Sequence, residues 1–324
     1  MTFQQVLELY RVELELIEKK LEQYLHANIP LIDMVIRHII RSGGKRLRPL
    51  LVVLSSRLCG YEGERYVPLA AIMEFVHMAT LLHDDVVDHA EMRRGSASVN
   101  STWGNEASVL VGDYLVARSF AIIAEDADLR IIQLLSETFT SMARGEVIQL
   151  SETGNIHITE DQYTQTITLK TAILMAACCQ VGAILGNINN DQRQSLANFG
   201  LNLGLAFQML DDALDYVARM DQFGKAIGKD LEEGSITLPL IHTLKRASEV
   251  DRKEIIRIID AEEKTDEDKI LISRHIQQYG GIVYTRERVA QSIAMAKSYL
   301  SSFPMSAHRM ALEATADYVL DREF

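Results

Sequence analysis

The chain has 324 residues, 48% of them hydrophobic, enough for one large domain or two smaller ones around a substantial core. Its 45 acidic residues outnumber 33 Lys and Arg, and the net charge of -12 disfavours nucleic acid or an anionic membrane as a general partner, since both require a positive footprint. Cys59, Cys178 and Cys179 are too few and too poorly spaced for a disulfide framework or a zinc site, and read as reduced interior residues.

Five prolines leave long stretches rich in Ala, Leu, Met, Glu and Gln, which predicts an all-α fold. Leu7, Tyr10, Leu14, Ile17, Leu21 and Tyr24 alternate at spacings of three and four, the mark of an amphipathic first helix. It carries no basic segment followed by an apolar one, so no secretory signal is read and the expected location is the cytoplasm. Pro30 and Ser42-Gly43-Gly44 break the pattern, and residues 60–68 read as a turn. Residues 69–88 are apolar on nearly every side until their acidic end, a profile that belongs at the centre of a large bundle.

Arg93-Arg94-Gly95-Ser96 reads as a loop. Helices are expected over residues 106–124, 131–150, 159–185 and 191–217, with a turn at Thr153-Gly154-Asn155. The longest apolar run, residues 172–185, is interrupted by Gln180 and falls short of the roughly 20 residues that cross a bilayer, so no membrane span is expected. Residues 221–234, with three glycines beside Lys225, Lys229 and Asp230, read as a mobile surface loop near charge. The last third alternates charged and apolar residues at helical spacing, with an acidic connection over residues 260–268. No linker divides the chain, so residues 1–324 read as a single domain.

The strongest signal is a pattern present twice, Asp84-Asp85-Val86-Val87-Asp88 and Asp211-Asp212-Ala213-Leu214-Asp215, each inside an apolar stretch. On a helix, positions i, i+1 and i+4 lie within about 100° of one another, so each copy offers three carboxylates to one side. Two carboxylates about 6 Å apart repel by roughly 3 kcal/mol at an effective dielectric near 20, and a partly buried triplet needs a cation. Oxygen-only ligation favours Mg²⁺ or Ca²⁺, and Mg²⁺ is normally shared between carboxylates and substrate phosphates. The alternative, a solvated charge run, fits poorly with the interior-type flanks Ala79 to His83 and Leu205 to Leu210.

With these motifs in place the chain resembles the trans-isoprenyl diphosphate synthases, the polyprenyl synthetase family. Its landmarks occur in order: Gly43-Gly44-Lys45-Arg46-Leu47-Arg48-Pro49, the first acidic motif running on to Met92-Arg93-Arg94-Gly95, then Val111-Gly112-Asp113-Tyr114, Lys170-Thr171-Ala172, Phe207-Gln208, the second acidic motif and Thr237-Leu238-Pro239. The resemblance implies a helical bundle around a central cavity. It implies an enzyme that joins an allylic diphosphate to isopentenyl diphosphate after ionisation of the allylic C–O bond, with pyrophosphate as leaving group and final base. Mg²⁺ would neutralise the leaving group, held by Asp84, Asp85, Asp88, Asp211 and Asp212, with Asp215 acting directly or through water. By the same resemblance Lys45, Arg48, His77 and Arg94 surround isopentenyl diphosphate, while Arg93, Lys170, Thr171, Gln208 and Lys225 serve the allylic diphosphate. Guanidinium groups suit this work because they donate paired hydrogen bonds to phosphate. His83 is read as orienting a carboxylate at most. One departure stands out: many relatives carry Lys two residues before Thr237, where this chain has Ser235, and Lys229 could take that place. A homodimer is expected, with residues 107–124 and 131–135 as its interface.

The growing tail is expected to run back along the helix of the first motif. Ala79 and Thr80, one turn before Asp84, are small and leave the path open, and one turn rises 5.4 Å, roughly one isoprene unit. Deeper, Val76 on the same helix and Phe139 on another could set the floor. A long all-trans product near octaprenyl diphosphate follows, feeding quinone side-chain synthesis. Three other readings compete. The Glu74-x-x-His77 pattern suggests a di-metal carboxylate protein, but only one copy exists. A terpene cyclase would not need the Gly43-to-Pro49 segment. A subunit of a heteromeric synthase, silent or dependent on a small partner, is opposed by the completeness of both acidic motifs in its silent form only.

Overall fold

A computed structural model describes residues 1–24, 27–41, 44–93, 95–217 and 228–321. The described elements are almost entirely helical, as the composition predicts. Two compact units form. One contains Met1–Ser136, Ala177–Ala197 and Ser302–Ala314, and the other Glu137–Ala176, Asn198–Ser301 and Thr315–Phe324.

In chain order the helices are α1 (Phe3–Leu9), α2 (Arg11–Tyr24), α3 (Pro30–Arg41), α4 (Leu47–Leu58) and α5 (Tyr66–Val87), followed by strands β1 (Met92–Arg93) and β2 (Ser96–Ala97) and helices α6 (Val99–Trp103), α7 (Asn105–Asp126) and α8 (Leu129–Ser151). The chain continues through α9 (Glu160–Ile167), a π-turn at Thr168–Ala172, α10 (Ile173–Leu185), α11 (Asn190–Asp215), α12 (Lys229–Glu232), α13 (Leu238–Arg246), α14 (Glu249–Ile259), α15 (Asp266–Gln278), α16 (Gly281–Tyr299) and α17 (Ala307–Leu320).

The first unit is organised by α5, which packs on α2, α4 and α7. From Leu69 to Phe75 every side chain of α5 is buried, which is why its sequence lacks a polar face. The amphipathic first stretch is two helices rather than one. Thr2 caps α1 with a reciprocal Gln5 capping box, and the helix stops at Tyr10, whose hydroxyl is 2.6 Å from His308 Nδ1. Residues 92–97, read as a loop, form a two-stranded antiparallel hairpin pairing Met92 with Ala97 and Arg93 with Ser96. Two residues per strand are too few for an alternating pattern to show in sequence.

In the second unit α13 packs on α15 and α16, and α9 runs into the π-turn. The expected helix over residues 159–185 is therefore continuous but locally underwound. Part of the expected loop over residues 221–234 is the short helix α12, and residues 221–227 lie outside the described residues. Three helical stretches, Tyr66–Val87, Asn105–Asp126 and Glu160–Leu185, are long and apolar enough to cross a membrane by length and composition. The run at residues 172–185, too short by itself, reaches that length only with Glu160–Ile167 and the π-turn before it. The buried share of the apolar window is 72% in the first of these helices but only 44% in Asn105–Asp126.

Candidate active site

The first acidic motif ends α5. Asp84 and Asp85 occupy its last turn, and Asp88 is its C-cap, with its backbone N–H donating to Asp84 O at 2.8 Å. Burial separates them: Asp85 is 2% exposed, whereas Asp84 and Asp88 are half-buried. A buried carboxylate needs a partner, and Arg93 supplies one, its Nε donating to Asp85 Oδ1 at 2.6 Å from the end of β1. The hairpin thus returns the chain so that the cation eight residues on meets the motif. Arg94 lies outside the described residues.

Near the start of α4 the three cations of the Gly43-to-Pro49 segment part company. Arg46 takes a left-handed backbone (φ 48°) and is committed to Glu18 at 2.5 Å and Glu74 at 2.7 Å. Glu74 is therefore half of an ion pair, and the Glu74-x-x-His77 pattern is no di-metal site. Lys45 is exposed and Arg48 half-buried in the first turn of α4. His77 is half-buried on α5, where its carbonyl accepts from Thr80 Oγ1 at 2.8 Å. The His83 ring turns toward α7, with Nε2 3.3 Å from Val109 O and 3.5 Å from Asp113, in a space that a Cβ on Gly112 would fill. Ala79 and Val76 are 1% and 5% exposed on α5, and Phe139 is half-buried on α8.

The second acidic motif ends α11 and sits in a denser polar network. Asp212, 6% exposed, accepts from Tyr163 Oη at 2.6 Å and from Gln208 Nε2 at 2.7 Å, and Gln208 Oε1 in turn accepts from Thr171 Oγ1 at 2.9 Å. Asp215 accepts from the backbone N–H groups of Lys229 at 3.2 Å and Asp230 at 2.9 Å, which anchors α12 beneath the motif. Burial pushes the Asp212 carboxyl up to about 7, opposed by the bonds from Tyr163 and Gln208 and reinforced by Asp211 and Asp215. Burial likewise raises Asp215.

Asp230 was missed as a site residue. Burial, then the charges of Asp212 and Asp215, push its carboxyl well above the ordinary range, and its Oδ2 is buried without a hydrogen-bond partner among the described residues. An orphaned carboxylate oxygen beside two other carboxylates is a ligand set for a hard cation, so the residues present fit a divalent metal. Lys229, the candidate substitute for the missing lysine, has its Nζ 2.6 Å from Glu233. Lys225 lies outside the described residues.

Lys170 stands on the π-turn, half-buried, with Nζ donating to Glu146 Oε2 at 2.9 Å. Such turns break helical register and recur at functional sites. Two glycines hold this one. A Cβ on Gly145 of α8 would lie 2.7 Å from Lys170 N, and a Cβ on Gly204 of α11 would lie 2.5 Å from Ala172 Cα. Backbone therefore packs directly on backbone on two sides of the turn.

Residues 29–275 match the polyprenyl synthetase family. The chain belongs to that family. It is 36% identical over 325 residues to the octaprenyl diphosphate synthase of Escherichia coli (strain K12), covering 100% of both chains. Among solved structures it is similar to a decaprenyl diphosphate synthase from Rhodobacter capsulatus, with TM-score 0.93, 36% identity and 99% coverage of each chain. A polyprenyl synthase from Caulobacter crescentus CB15, complexed with calcium and isoprenyl diphosphate, gives TM-score 0.95 and 35% identity, covering 99% of this chain and 98% of that one. As a polyprenyl synthetase, the chain is a trans-prenyltransferase of all-α fold.

Proposed function

We propose that this prenyltransferase condenses an allylic diphosphate, farnesyl diphosphate in the simplest case, with successive isopentenyl diphosphates to give an all-trans polyprenyl diphosphate of octaprenyl length, the small Ala79 and Thr80 leaving the path for the tail open. The single observation that carries the reading is the second acidic motif, where Asp212, Asp215 and Asp230 crowd into one partly buried group that a cation would neutralise. Full-length similarity to an octaprenyl synthase supports the chain length. Asp212, Asp215 and Asp230 in one unit, and Asp84, Asp85 and Asp88 in the other, are the residues that would hold magnesium, which would supply positive charge to a departing diphosphate.

In each condensation the allylic C–O bond breaks, a new C–C bond forms to isopentenyl diphosphate, a proton leaves the product and pyrophosphate departs. The chain's own residues bind and orient. Arg93 and Lys170 rest on Asp85 and Glu146, held ready to exchange those carboxylates for diphosphate oxygens. On the family resemblance Lys45, Arg48, His77, Arg94 and Lys225 would also serve the diphosphates, and Gln208, itself held by Thr171, fixes Asp212. Tyr163 and Gln208 each give one hydrogen bond to Asp212, so its orientation is set before substrate arrives.

The functional form we propose is a cytoplasmic homodimer. Free cysteines, two of them buried, suit a reducing compartment. On α7, Leu110 is 66% exposed and Phe120 43%, an apolar face of the kind that a second copy covers. Ile131, Leu134 and Leu135 are buried within the chain, so a contact from residues 131–135 would come through Ile132 and Gln133. The test is pyrophosphate release by the purified chain with farnesyl and isopentenyl diphosphates and Mg²⁺. Release should stop in Asp84→Ala and Asp211→Ala while circular dichroism stays unchanged. Equal loss of helical content would assign those carboxylates to folding.

A further inference from the structure

The second unit contains a cavity of about 870 Å³ whose lining includes none of the acidic-motif residues. Its size falls within the roughly 300–1,000 Å³ of ordinary ligand pockets. Two kinds of surface meet in it. Ile156, Ile158, Ile241 and Leu244 make an apolar side, next to the stacked rings of His242 and Tyr284 at 4.2 Å and 22°. Lys245 and Arg246, in the last turn of α13, and Arg252 on α14 make the other.

Basic residues at a helix C-terminus have an ordinary explanation in the helix dipole. Three features go beyond it. Among the described residues none of the three cations has an ion-pair partner, in a chain whose net charge is -12. Glu160, the one acidic residue of the lining, is already engaged by Tyr284 Oη at 2.6 Å and Arg288 Nε at 3.0 Å, so it leaves the cations uncompensated. Arg252 comes from a different helix and converges on the same opening. Burial, then Arg246, hold His242 below its usual range, which favours its uncharged ring beside the cations.

We propose that this cavity binds an amphiphilic phosphate, with the head on Lys245, Arg246 and Arg252 and an aliphatic or prenyl tail along Ile156, Ile158, Ile241 and Leu244. Guanidinium and ammonium groups supply paired and point-charge donors to phosphate oxygens. The apolar side gives preference over inorganic phosphate. A free prenyl diphosphate and a phospholipid headgroup share this chemistry. Because no carboxylate of the active site is involved, binding here needs no divalent cation and does not depend on the catalytic reading.

The experiment is calorimetric titration of the full chain in EDTA with geranyl diphosphate, which removes the metal bridge that the acidic site requires. A saturable site is expected that persists in Lys45→Ala/Arg48→Ala, which removes metal-free diphosphate contacts of the catalytic site. It should weaken at least tenfold, about 1.4 kcal/mol, in Lys245→Glu/Arg246→Glu/Arg252→Glu, and measurably in Arg246→Ala, with Mg²⁺-dependent turnover unchanged in both. Pyrophosphate alone should bind at least tenfold more weakly than geranyl diphosphate. Absence of saturable binding in EDTA, binding indifferent to the substitutions, or equal binding of pyrophosphate would each overturn the proposal. Sedimentation with phosphatidylglycerol vesicles, set against phosphatidylcholine vesicles, separates the sources. Charge-dependent sedimentation lost in the triple variant assigns the headgroup, and its absence beside intact geranyl diphosphate binding assigns the free amphiphile.

Discussion

Tyr163→Phe removes one oxygen and nothing else from the side chain, and that oxygen gives one of the two side-chain hydrogen bonds that reach Asp212. Tyr163 is 4% exposed and Asp212 6%, so no bulk water replaces the lost donor at full strength. A hydrogen bond to a charged group contributes about 1.5–3 kcal/mol, which converts to roughly ten- to a hundredfold in an equilibrium constant. That range matches the usual cost of losing a residue that orients a metal ligand. The half-saturating Mg²⁺ concentration for turnover should therefore rise by about ten- to a hundredfold. The pH dependence carries a sign. Tyr163 favours the Asp212 anion, so its loss moves that carboxyl further above about 7, and at neutral pH the metal must displace a proton. Titrations at about pH 7 and about pH 9 should show the deficit shrinking at the higher value. An unchanged Mg²⁺ requirement, or a deficit that ignores pH, would refute the role given to Tyr163.

Gly145→Ala places a Cβ 2.7 Å from Lys170 N and 2.9 Å from Leu169 C, both backbone, so the π-turn must shift. A stability loss of about 1–3 kcal/mol in urea melts should accompany a larger loss of turnover than the melting change explains. Ala79→Tyr fills a site only 1% exposed, and should shorten the product to about three or four isoprene units on reversed-phase chromatography, counting one unit per helical turn. An unchanged product distribution would show that the tail runs elsewhere. Asp230 holds a proton in the folded, metal-free chain that the unfolded chain releases, so its contribution to stability falls as pH rises above about 4. Asp230→Asn should thus raise the metal-free melting temperature more at pH of about 8 than at about 5 and reduce the stabilisation by Mg²⁺. An equal gain at both values would contradict the sign.

The acidic motifs were legible because three carboxylates at positions i, i+1 and i+4 in an apolar stretch have few uses, and both copies end the helices where they were expected. Asp230 was not, since it follows Asp215 by 15 residues across a connection whose path sequence spacing does not encode. Tyr163 was hidden by its own burial: an aromatic on an amphipathic helix reads as core, and only the fold reveals that its hydroxyl meets Asp212. The π-turn at Lys170 left no trace either, because no residue type selects an i to i+5 bond, although Gly145 and Gly204 mark the close approaches once the helices are packed. Among Lys45, Arg46 and Arg48 charge alone could not say which is structural. A positive φ turns Arg46 toward Glu18 and Glu74.

The most direct measurement is to incubate the pure protein with Mg²⁺, farnesyl diphosphate and labelled isopentenyl diphosphate, then size the dephosphorylated alcohols. Labelled products extending to octaprenyl length, none formed when EDTA replaces the metal, are the predicted result. Intact isopentenyl diphosphate after prolonged incubation with both substrates and metal would contradict it.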